Sequence, residues 1–93
     1  MYPVIIIITH MTRQELIEAF CDKKGIVGNQ RLSLTNIALA SLPYTIPSPI
    51  ESDVMAMLER TYLKVRAKTP YIVAVQSLAA DMEREVLNGS VSL

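Results

Sequence analysis

The chain has one cysteine, one histidine, no net charge and no apolar run long enough to span a bilayer. Each scarcity closes off a class of protein. A lone Cys21 admits no intrachain disulfide, which excludes a disulfide-stapled scaffold and points to a reducing cytoplasm. A zinc site needs three or four His, Cys or carboxylate ligands. His10 and Cys21 supply one of each, and the chain has no Cys-x-x-Cys or His-x-x-x-His spacing. No metal and no cofactor are therefore expected.

A thiol nucleophile needs its base beside it. If residues 12–24 are helical, His10 and Cys21 stand about 15 Å apart along the axis. Cys21 then reads as a small core hydrophobe one turn after Ile17. The carboxylate pairs Glu15/Glu18, Glu51/Asp53 and Asp81/Glu85 read as helix caps or solvated faces, and none sits in a stretch that burial would perturb. No catalytic residue is assigned, and an enzyme is not expected.

The most apolar run, Val4–Ile8, is too short for a membrane span and lacks the basic start and cleavage site of a signal peptide. The nine basic and nine acidic residues cancel, whereas nucleic-acid binders usually carry a basic excess. The distribution is uneven: Arg60, Lys64, Arg66 and Lys68 make the middle basic, while Asp81, Glu83 and Glu85 make the end acidic. This suits complementary faces in an oligomer as well as a phosphate-binding stripe.

What the chain does have is apolar surface. Its 93 residues, 51% of them hydrophobic, fit one domain. A domain of this size buries only about 60–65% of its unfolded surface. The remainder is hidden against a partner, either a second copy or another protein.

The pattern predicts a mostly α fold, with small α+β as the alternative. Val4–Ile8, all β-branched, reads as the centre of a strand over 1–10. It needs a neighbour: Arg31–Thr35, which alternates polar and apolar, or the same strand of a second copy. Thr12 and Glu15 form a capping box for a helix over 13–24, flanked by a Met11–Leu16 staple and closed by Gly25. Leu16, Ile17 and Phe20 define its buried face, with Ala19 and Cys21 near the edges.

Residues 26–49 read as a loop, then a short strand or a helix near 36–42 capped by Thr35, then a stiff proline-rich connector. Ser48, Pro49 and Glu51 look like the cap, first turn and capping box of a second long helix, 49–68. Val54, Leu58, Tyr62 and Val65 form its stripe, widened by Met55 and Leu63. Thr69-Pro70 breaks it and starts a third helix, 70–88, in which Ile72, Val75, Ala79, Met82 and Val86 repeat as a two-heptad seam. A kinked continuous helix is the alternative. The last two helices are expected to pack as an antiparallel pair with the first across them, and 89–93 to fray.

Two segments bear on nucleic acid. Gly25-Ile26-Val27-Gly28 has the length of a G-x-x-G phosphate loop, flanked by Lys23, Lys24 and Arg31. With Gly25 as turn glycine, residues 12–42 form an imperfect helix-turn-helix: Cys21, Ile26 and Leu34 fit its packing positions. Arg31, at a core position, and Gly28, at the start of the recognition helix, do not. Asn29, Gln30, Arg31, Ser33 and Asn36 would be chemically suitable contacts.

The leading expectation is a small, non-catalytic protein–protein interaction or regulatory module, self-associating through Ile5 and Ile7 on the strand or Tyr62, Tyr71, Ile72, Val75, Ala79 and Met82 around the seam. The alternative is a DNA- or RNA-binding regulator that uses Lys23, Lys24, Gln30, Arg31, Arg60, Lys64, Arg66 and Lys68.

Overall fold

The computed structural model describes residues 10–87. Ile5, Ile7, most of the expected strand and the expected frayed tail lie outside them. The described chain is mostly helical: β1 (His10–Thr12), α1 (Arg13–Lys24), α2 (Gly28–Ser41), β2 (Thr45–Pro47), a 3-10 turn (Ser48–Ile50), α3 (Glu51–Arg66) and α4 (Tyr71–Leu87).

The first helix follows its punctuation. The Thr12 side chain accepts from the Glu15 amide at 3.1 Å, and the Glu15 carboxylate accepts from the Thr12 amide at 3.2 Å. Gly25 closes the helix in the left-handed conformation, at φ 69°. Met11 is half-buried against the core, as a staple requires. Cys21, at the edge of the helix's inward arc, is nonetheless fully buried.

The segment after it departs from expectation. Arg31–Thr35 is not a strand. It lies in α2, which starts well before the expected Thr35 cap and absorbs the second half of the glycine loop. The alternation that suggested a strand would place Leu32 and Leu34 on one face. A helix separates them by about 200°, and Leu34 is fully buried while Leu32 is 60% exposed. Leu34, Ile37 and Ala38 give the helical spacing that wins. The partner of β1 is instead β2, in the proline-rich connector, antiparallel with Met11 opposite Ile46. This buries Ile46 completely and leaves Tyr44 on the surface.

Ser48 does not cap α3. It begins the 3-10 turn, and α3 starts one turn later without a side-chain cap. The buried face of α3 is Val54, Met57, Leu58 and Thr61. Thr61 satisfies its hydroxyl by donating to the Met57 carbonyl at 2.9 Å. Leu63, expected to widen the stripe, is 54% exposed. α3 and α4 are separate helices, because Lys68 between them is left-handed at φ 61°. They pack as an antiparallel pair, with Arg60 reaching Asp81 at 3.5 Å.

α4 turns a different face inward from the expected seam. Ala74, Leu78 and Met82 are buried, Val75 and Ala79 are half-buried, and Ile72 is 57% exposed. The reason is that α4 packs on two helices, α2 and α3. A seam chosen for one partner has the wrong centre for a groove between two. Ser41 of α2 joins the α4 backbone directly, its hydroxyl 3.2 Å from the Val75 carbonyl.

Leu34→Ala removes a fully buried side chain and is expected to cost about 2–5 kcal/mol. Leu32→Ala is expected to stay within about 0.5 kcal/mol of wild type. Urea denaturation of the two variants checks this, and similar losses would argue against helical α2.

Candidate functional site

The turn between α1 and α2 is only Gly25, Ile26 and Val27, so the pair has helix-turn-helix connectivity. Ile26 is buried and drives the turn into the core. Arg31, an awkward residue for a packing position, is half-exposed and escapes burial by pairing with Asp22 of α1 at 2.8 Å. That hydrogen bond holds the guanidinium above its usual pKa, so it stays charged.

The exposed side of α2 carries Asn29, Ser33 and Asn36, spaced by four and three residues. It faces the α3–α4 turn across a groove of about 330 Å³. Lys68, Thr69 and Tyr71 form the opposite wall, and Ile37 and Val65 contribute apolar surface between. Gln30 lines it as well. Its Oε1 accepts from the Tyr62 hydroxyl at 3.3 Å, and the Arg66 guanidinium lies 5.8 Å from the Tyr62 ring centre. Sequence reasoning named most of these residues, but for unconnected purposes. It missed Ile37 and the groove itself, since only the fold brings 29–37 against 65–71.

Lys68 stands out in this wall. Left-handed positions after a helix usually hold glycine, and Gly25 fills the same role after α1. Lys68 is the single non-glycine residue with positive φ among the described residues.

The other candidate cations are dispersed. Lys24 pairs with Glu59 at 2.7 Å, Arg31 with Asp22, and Arg60 with Asp81, which also binds Arg84. Lys23 is exposed, and Lys64 is half-buried. The two do not line the groove. Of the expected contact seam, Met82 is buried within the chain, and Val75 and Ala79 are half-covered. Tyr71, Ile72 and Val73 remain on the surface, exposed by 52%, 57% and 48%.

His10 is exposed at the start of β1 and Cys21 is buried, so they share no surface. Burial raises the Cys21 thiol pKa, a lift only partly opposed by the nearby Arg31 charge. Among the described residues no three His, Cys, Asp or Glu side chains gather as a metal would require, and no helix is long and apolar enough to cross a membrane. No protein-family model, curated protein or solved structure matches the chain.

Lys68→Gly is expected to raise stability by about 0.5–1 kcal/mol, because glycine takes a positive φ without the Cβ penalty; thermal denaturation measures it. Cys21 gives a pH prediction with a defined sign. Its folded pKa is raised, so the stability of the neutral buried thiol is complete below the usual thiol value. It is lost as pH rises through the folded value. Unfolding midpoints above about pH 8.5 should fall more steeply for wild type than for Cys21→Ala.

Proposed function

We propose that the protein is a small, non-catalytic interaction or regulatory module that self-associates through the start of α4. The observation that carries this is the run Tyr71-Ile72-Val73, three consecutive large apolar residues each about half exposed. Such runs cost solubility in a free surface and occur where function requires them. Tyrosine and isoleucine at a helix start offer a rigid anchor and an aliphatic contact for a second copy. The free, buried Cys21 suits a reducing cytoplasmic setting.

A second reading, a DNA- or RNA-binding regulator, rests on the three-residue turn joining α1 and α2. In that arrangement the first turns of the second helix read base edges, and here they present Asn29, Gln30 and Ser33. The ion pairs of Lys24, Arg31 and Arg60 weigh against it, because phosphate contacts would compete with them.

Light scattering at two protein concentrations, in low and high salt, with and without a random DNA duplex, separates the two. Self-association predicts a salt-resistant dimer or larger assembly that ignores DNA and reverts to monomer in Ile72→Glu with an unchanged helical circular-dichroism spectrum, the melting temperature falling only by the lost association. A monomer under every condition overturns it. Uptake of duplex in low salt and release in high salt moves the second reading to first place.

A further inference from the structure

The groove between α2 and the α3–α4 turn has a chemical character that self-association does not use. Its α2 wall holds three carboxamides, Asn29, Gln30 and Asn36, and its opposite wall holds one cation, Lys68. Among the described residues no carboxylate lines it. Carboxamides present a donor and an acceptor side by side, the pattern that pairs bidentately with the edge of a nucleobase. The Tyr62 hydroxyl occupies Oε1 of Gln30 and leaves its NH2 group as a donor. Tyr71, half-exposed on the groove wall, offers an aromatic face to a planar ring. The volume, about 330 Å³, lies at the small end of ligand sites, which suits one nucleotide unit.

Lys68 supplies the second, independent observation. A lysine side chain on a left-handed backbone gives up stability that a glycine would recover. Strain of this kind is retained where the side chain is used. Here Lys68 is the single charged residue lining the groove among the described residues. We infer that the groove binds a nucleotide, with the Lys68 ammonium on the phosphate and the Asn29, Gln30 and Asn36 carboxamides on the base edge. A free nucleotide and a unit within a single strand present the same chemistry.

The test is an amide NMR titration of the full chain with AMP, GMP, CMP and UMP, against inorganic phosphate, the four nucleosides and short homopolymeric single strands. At least one monophosphate should shift the side-chain amides of Asn29, Gln30 and Asn36 saturably, with a Kd below about 1 mM. Lys68→Gly should weaken it about tenfold or more while melting at a higher temperature, and Lys68→Arg should bind close to wild type. That opposition of binding and stability is not expected of a purely structural lysine. Tighter binding of a strand than of its monophosphate assigns the site to nucleic acid, and equal binding assigns it to the free nucleotide; each supports the site. Absence of saturable shifts, equal response to inorganic phosphate alone, or undiminished binding by Lys68→Gly overturns it. Tyr71 belongs to both surfaces, so the titration is repeated on the Ile72→Glu monomer, where shifts that persist report the groove apart from self-association.

Discussion

The burial of one face of α2 holds the molecule together. Leu34, Ile37 and Ala38 sit in the common core, and α2 contacts each of the other three helices. Each of the two larger side chains contributes about 1.5–3 kcal/mol on burial, a large share of what a domain this small can retain. α1 brings Leu16, Ile17, Phe20 and Cys21 to that core, and α4 brings Ala74, Leu78 and Met82. α1 and α4 have little direct contact, so α2 and α3 carry the packing between them. The short β1–β2 pair adds Ile46 and fixes the chain's path between α2 and α3.

The same packing decides which surfaces are left over. α4 lies in the groove between α2 and α3, so its apolar residues cannot all face inward. The rotation that buries Ala74 and Leu78 leaves Tyr71, Ile72 and Val73 half-exposed. It also sets the α3–α4 turn beside the polar side of α2, which makes a groove from two segments 28 or more positions apart. Ion pairs divide the cations further. Lys24, Arg31 and Arg60 are tied to neighbouring helices, while Lys68 lines the groove. A basic cluster that is continuous along the chain is therefore not a continuous basic surface.

Local chemistry was legible wherever the interaction closes within a few residues. Thr12 and Glu15 satisfy each other three positions apart. Gly25 answers a conformational demand of its own backbone. Arg31–Thr35 shows where local pattern stops being decisive. Five residues can satisfy period 2 by chance, and only the contacts of Leu34 with other helices select the helical period. Ser48 shows the same limit: its dipeptide with Pro49 suits a helix start, but the 3-10 turn that buries Ile50 moves the start to Glu51.

The sequence by itself determined the first helix and its caps, the break at Thr69-Pro70, the mostly helical class and the scarcity of ligating side chains. These depend on composition or on interactions across at most four residues. The tertiary structure decided the length of α2, the partner of β1, the inward face of α4 and the groove at Lys68. Each of those is a choice between local alternatives of similar energy, and burial against distant residues is the term large enough to select among them.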